Sequence, residues 1–249
     1  VSTTTWLTGG LCISLATGFS VQMAQLTGAG RHTDAENVFR QSLITAVLFG
    51  IILSAICSFI SPHLPIWLDG STEILSDATN YFLIYSLGMP FVQLRQLTGN
   101  MLQCSGDMKT PSVLNASMCG MDVIFNFLLI FPSRDISLAG FAFTVPGAGM
   151  GVSGAALGTA LSEAVTSLLM LYAACFRSPL LRLSRGGSWK LHGRCLKTAA
   201  AIALPVAMER TAMCGAQIAS TRIIAPLGTV PVAANSLAVT AESFCYMPG

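Results

Sequence analysis

Seven ionisable residues stand inside apolar stretches of this sequence: Arg95, Asp122, Glu163, Glu209, Arg210, Arg222 and Glu242. A charge at the centre of a membrane helix costs about 2.5–3.5 kcal/mol on insertion scales, so such groups usually face a partner, a cavity or a transported ion. Asp122 is the deepest acid of its run, and Asn126 follows four residues later. In a helix that spacing puts carboxylate and amide on one face, where both can converge on one proton or small cation. The plainer chemistry is a hydrogen bond between helices that only holds a bundle together. Glu163 has two readings of the same kind, lining a wet vestibule or pairing with Arg95. Glu209 and Arg210 follow Pro205 by one turn and read as close to the cytoplasmic end, where long side chains snorkel. Arg222 reads as structural or interfacial near the outer end, and Glu242 falls in the middle of the last apolar run.

The elements that must position these groups follow from composition. Of 249 residues, 53% are hydrophobic and 10% charged, against roughly 25% charged in ordinary soluble domains. This balance excludes a water-soluble globule, and the abundance of apolar residues excludes disorder. A net charge of +2 gives no polyelectrolyte signature for nucleic acid. Eight cysteines (Cys12, Cys57, Cys104, Cys119, Cys175, Cys195, Cys214, Cys245) are scattered singly with no C-x-x-C pair, which reads as core packing and not as a disulfide frame or metal site. A bilayer core about 30 Å thick needs about 20 mostly apolar residues per helix. Six such spans and part of a seventh are predicted, near Thr4–Leu26, Phe39–Ile60, Leu75–Leu102, Ser112–Phe131, Met150–Tyr172, Leu196–Ile224 and Val232–Gly249. The class is therefore an all-α, polytopic membrane protein. No basic n-region precedes the first run, and the last stops at Met247-Pro248-Gly249 before any polar flank, so an internal piece of a longer protein is expected.

Basic residues set the orientation, because Lys and Arg are retained on the cytoplasmic side of short loops. Loop 28–42 has Arg31 and Arg40, loop 103–111 has Lys109, and loop 176–197 has Arg177, Arg182, Arg185, Lys190, Arg194 and Lys197. The alternate segments 61–74 and 132–149 hold only Arg134 between them. Helix punctuation agrees with these connections. Gly28 and Gly30 can end the first span, and Thr33 with Glu36 forms a capping box for the second. Gly106 and Asp107 suit a turn, with Thr110 as N-cap and Pro111 at the first helical position. Segment 62–70, with Pro62, Pro65 and Trp67, reads as an interfacial connector. The basic loop, with Leu180, Leu181, Leu183, Trp189 and Leu191, reads as lying on anionic lipid and as a linker between two bundles. Gly147 with Gly151, and Gly154 with Gly158, predict close helix approach over the fifth span. Pro90, after Gly88, and Pro205 predict kinks in the third and sixth spans.

Enzyme chemistry finds little support. Gly151-Val152-Ser153-Gly154 resembles the G-x-S-G of rhomboid proteases, but His32, His63 and His192 all lie in connections. A serine without a buried base stays an unactivated hydroxyl. The sequence also lacks a G-x-x-x-x-G-K-[ST] phosphate loop.

Several segments in order resemble a known family. GFSVQMAQLTGAGRHTDAENVFRQ from Gly18 is similar to the second-helix end and inner loop of MATE (multidrug and toxic compound extrusion) transporters. LRQLTGNMLQCSGDMKTP from Leu94 resembles the family's fourth-helix exit, and NFLLIFP from Asn126 with GVSGAALGTALSE from Gly151 resembles helices five and six. LPVAMERTAMCGAQIAS from Leu204 and APLGTVPVAANSLAV from Ala225 resemble the start of the second half. The resemblance implies twelve helices in two six-helix repeats. Residues 1–176 would be helices two to six of the first bundle, 177–197 the cytoplasmic basic linker, and 198–249 helix seven with part of eight. It implies a multi-pass protein of the cytoplasmic membrane, a monomer among lipids, without enzymatic activity or cofactor. The implied activity is antiport of H⁺ or Na⁺ against small organic, often cationic, compounds, with no nucleic-acid partner. A lipid-linked saccharide flippase of the same superfamily is the alternative, and it would require a wide basic cavity. Some branches of the family bind the coupling ion with an Asn and an Asp four apart on helix five. Those places hold Asp122 and Asn126 here, with acid and amide exchanged. Thr159 falls near a hydroxyl that lines the same cavity, and Glu209 is similar to a helix-seven Glu used in other branches. Glu163 and Glu242 complete the candidate set.

Overall fold

The structure is a computed structural model that describes residues 2–61, 75–138, 141–178, 181, 192–224, 234–235 and 237–242. Six long helices account for nearly all of it: α1 (Ser2–Gly28), α2 (His32–Ile60), α3 (Leu75–Cys104), α4 (Lys109–Ile130), α5 (Gly151–Tyr172) and α6 (Gly193–Ile224). Each coincides with a predicted span. Four have the length and apolar composition to cross a membrane: Thr5–Gly28, His32–Ile60, Lys109–Ile130 and the stretch Gly151–Arg177. Most of the seventh span lies outside the described residues, where 237–242 is helical. Pro62, Pro65 and Trp67, and Leu180, Leu183, Trp189, Leu191, Arg182, Arg185 and Lys190 of the basic loop, also lie outside them, as does Cys245.

Glycine ends two of the helices by the same geometry. Gly30 has φ +71°, and Gly30 N–H and Arg31 N–H donate to the carbonyls of Thr27 and Leu26. Gly106 has φ +91°, with its own N–H and that of Asp107 donating to Gln103 and Leu102. Both are Schellman closures, which need a left-handed residue and so favour glycine. The two N-terminal caps differ from expectation. Helix α2 begins at His32 without a side-chain cap, and Glu36 instead accepts a hydrogen bond from Arg40, whose side chain is only 2% exposed. A guanidinium buried that far needs a carboxylate one turn back, so Arg40 belongs to the helix and not to the inner loop. At α4 the acceptor is Asp107, which takes the Thr110 N–H at 3.1 Å and its hydroxyl at 2.6 Å. Both the N–H and the hydroxyl of Thr110 donate to this carboxylate, so Thr110 is capped and does not cap.

The outer connection after α4 is not a plain loop. Strands β1 (Pro132–Leu138) and β2 (Phe141–Ala148) form an antiparallel hairpin, with Arg134 paired to Val145 and a register shift next to Pro132. Gly147 is therefore a strand residue whose missing side chain makes room for the Phe131 carbonyl, and Gly151 opens α5 at φ +56° with nothing near it. Neither packs helices. Gly154 and Gly158 do: a Cβ on Gly154 would stand 2.5 Å from the Leu129 carbonyl oxygen, and one on Gly158 would collide with the Asn126 amide. These two positions seat α4 on α5.

Helix α3 is central, touching α1, α2 and α5, while α4 rests on α5 and α6 on α1. Pro90 and Pro205 lie inside helices that continue through them. Gly50 of α2 meets Pro90 backbone to backbone, a Cβ there lying 2.7 Å from the Pro90 Cα. Gly18 of α1 similarly admits the Ala199 carbonyl of α6, next to Gln22, whose amide donates to the Cys195 carbonyl at 3.3 Å. The main apolar core gathers Phe19, Met23, Phe39, Leu97, Met101 and Leu102 from α1, α2 and α3. Helix α5 ends in a π turn, Ala173–Arg177, closed by Ser178 N–H on the Ala173 carbonyl.

Candidate functional site

Two polar centres stand in the bundle, and they differ in how their hydrogen bonds are satisfied. The first joins α3 to α5. Arg95 Nε donates to Glu163 Oε2, Nη2 donates to Oε1 at 3.2 Å, and Nη1 donates to Asn115 Oδ1 of α4 at 3.1 Å. The side chains are 19% and 10% exposed, so the pair is well removed from solvent. Its fork-to-fork geometry is the strong, directional form of an arginine–carboxylate contact. Of the two sequence readings for Glu163, pairing with Arg95 describes its position. Asn115 was not among the predicted site residues, although it stands seven residues before Asp122 and shares its helix stripe.

The second centre is on α4. Asp122 Oδ1 and Asn126 Oδ1 are both buried, and neither has a hydrogen-bond partner among the described residues. Buried oxygens normally find a partner, so this pair is an open polar centre among the described residues. The amide lies directly against Gly158, whose next residue is Thr159, partly buried. Contacts of Leu129 with Gly154 and of Asn126 with Gly158 define an antiparallel register. Continued one turn, it sets Asp122 level with Ser162, whose hydroxyl donates to the Gly158 carbonyl at 2.9 Å. Asp122 and Asn126 thus stand on the stripe of α4 that meets α5, and Thr159 follows Gly158 on α5.

The other candidates stand apart from it. Glu209 lies midway along α6 and is exposed, not near the cytoplasmic end, because α6 already begins at Gly193. Its neighbour Arg210 lays its stem on Gly10 of α1, whose hypothetical Cβ would be 3.3 Å from the arginine Cβ. Glu242 is exposed at the end of the 237–242 helical stretch. Gln93 is a buried polar group that sequence reasoning did not single out: it is 0% exposed and neither amide atom has a partner among the described residues. Its signal was an amide in an apolar run, three residues after Pro90. Among the described residues no group of three or more potential metal ligands occurs, and all seven described cysteines are free.

Known proteins with similar sequence and fold share this arrangement of helices. Relatives described as "Probable multidrug resistance protein NorM" from Thermotoga maritima and from Xanthomonas axonopodis pv. citri are each 24% identical, over 246 and 257 residues, covering 98% and 97% of this chain and 50% of each relative. The chain thus spans about half the length of these relatives. In fold it is similar to a MOP superfamily transporter from Pyrococcus furiosus (TM-score 0.82, 20% identity, 96% of this chain and 50% of that one). It is similar also to the outward-facing conformation of a multidrug resistance MATE family transporter (TM-score 0.80, 20% identity, 98% of this chain and 50% of that one). With the MatE family model matching residues 1–128, more than half of the sequence, the chain belongs to the MatE family, the MATE transporters that its motifs resemble.

Proposed function

We propose that this chain forms part of a secondary active transporter that exports small organic, often cationic, compounds in exchange for H⁺ or Na⁺. Asp122 and Asn126 form its coupling site. The observation that carries the reading is the pair of buried, unpartnered oxygens one turn apart on α4. A carboxylate so placed is stabilised when a proton or small cation occupies it and destabilised when it is empty, and that difference can bias two conformations. Moving one charge across 100 mV supplies about 2.3 kcal/mol, enough for roughly a fifty-fold gradient. One carboxylate is therefore sufficient.

Thr159, next in sequence to Gly158, joins this site by the family resemblance, and the multidrug-resistance description of the NorM relatives supports a broad substrate range. Glu209 and Glu242 are secondary candidates belonging to the second bundle. The protein acts as a monomer in the cytoplasmic membrane, with lipid as its surroundings and no cofactor beyond the coupling ion. The flippase alternative needs a basic cavity, and two arginines inside the bundle, Arg40 of α2 and Arg95 of α3, are each held by a carboxylate. The test is uptake of a fluorescent cationic dye into proteoliposomes containing the full-length protein, under imposed H⁺ or Na⁺ gradients. Asp122→Asn should reduce gradient-driven uptake to the leak rate. Undiminished uptake would remove the site.

A further inference from the structure

Helix α4 packs along α5 for much of its length. Pro111 is its one buried residue. Its outer end is seated by Gly154 and Gly158, and its inner end by the Asp107 cap. Between these anchors, a hydrogen bond reaches it from another helix, Arg95 Nη1 to Asn115 Oδ1.

Asn115, Asp122 and Asn126 are spaced by seven and four residues, which places them on one stripe of α4. With a rise of about 1.5 Å per residue, Asn115 lies about 10 Å along the axis from Asp122. Arg95 reaches Asn115 in a fixed direction because Glu163 grips the same guanidinium through two of its nitrogens. The pair thus joins α3 to α5 and extends one donor to α4.

We infer that Arg95, gripped by Glu163 and bonded to Asn115, is a positioning residue that sets the axial register of α4 and so the alignment of the cation site against α5. This inference rests on Asp122 and Asn126 being that site. Binding constellations work only when held to about 0.5 Å, so a slip of one residue along α4, about 1.5 Å, would disassemble this one. Neither Arg95 nor Glu163 touches the ion; they act through Asn115.

The test uses the full-length transporter in proteoliposomes and measures two half-saturating concentrations, of the coupling cation and of the dye. Asn115→Ala removes the acceptor and leaves the ion pair intact. It should raise the half-saturating cation concentration about tenfold, as loss of an outer-sphere partner typically does, with the dye value unchanged. Asn115→Asp keeps an acceptor for Arg95 and should restore the wild-type cation value. Glu163→Gln, altered on α5 without touching α4, should shift the cation value in the same direction and serves if Asn115→Ala does not accumulate. A cation dependence equal to wild type in Asn115→Ala, or in Glu163→Gln where that variant stands in, overturns the inference. So does an equal shift in both concentrations, which would mean general damage. If Asp122→Asn abolishes coupling while Asn115→Ala behaves as wild type, only the positioning role falls; if Asp122→Asn transports normally, the site itself falls.

Discussion

The Arg95–Glu163 pair and the Asp122–Asn126 pair are both polar intrusions into an apolar bundle, yet one is closed and the other open. Arg95 spends three nitrogens on Glu163 and Asn115. Asp122 and Asn126 each keep a buried oxygen without a partner. A closed network can specify and stiffen a structure, whereas an open one costs free energy until something fills it. The presence of an ionisable group in a span therefore says less about function than the state of its hydrogen bonds.

That contrast can be broken most forcefully at the closed pair. Arg95→Leu should destabilise the folded protein by about 3 kcal/mol, because it strands the Glu163 charge in the bundle. The double variant Arg95→Leu with Glu163→Leu should recover most of the loss, since replacing both partners removes the uncompensated charge. Denaturation in detergent, read by circular dichroism, compares them. Equal losses in single and double variants would mean that packing and not charge dominates.

Gly158→Val probes the wall between the two centres. A side chain there collides with the Asn126 amide, and forced overpacking typically costs about 1–3 kcal/mol. The same denaturation assay should show that loss, together with weakened gradient-driven transport. A neutral result in both would mean that α4 moves aside freely.

Asp107 sharpens the account of how α4 starts. Its carboxyl is held below the usual carboxylate range, first by the Thr110 hydroxyl and then by the Thr110 N–H. A depressed folded value contributes stability that is fully present above the unfolded pKa and is lost as pH falls through the folded one. Acidification below about pH 4, where unfolded Asp titrates, should therefore fray the first turn of α4. The protection of the Thr110 amide against hydrogen exchange, relative to an unstructured chain at the same pH, should fall there, and Asp107→Ala should show the lower protection already at neutral pH, at a cost of about 1 kcal/mol. Protection that does not change with pH would contradict the cap. The smallest effect is expected at the open pair: Asp122→Asn breaks no hydrogen bond at Oδ1, so stability should change by less than about 0.5 kcal/mol even as transport is lost.

The spans were legible because the apolar runs are long and the connections are punctuated by residues with one structural use, such as Gly30 and Gly106. Caps were less legible. Thr33 and Thr110 have the right type and spacing, but neighbouring Arg40 and Asp107 make stronger claims on the same groups, and competition of that kind depends on tertiary burial. The hairpin after α4 was missed because the outer connection lacks a signal as strong as a glycine turn, and strand pairing depends on a partner segment. Glu209 was placed too near an end because the helix begins in a polar stretch, Gly193–Lys197, that hydropathy assigns to the loop. The salt bridge of Glu163 was one of two readings open from sequence. Asn115 was invisible because its importance comes from an arginine twenty residues earlier on another helix.

The central claim is that Asp122 takes up and releases a small cation. The direct measurement is cation release on dye binding by the purified full-length protein in weakly buffered detergent solution, followed with a pH indicator and with ²²Na⁺. The account predicts release of one of the two ions by the wild type and none by Asp122→Asn, at matched protein stability. Equal release from the variant would contradict it.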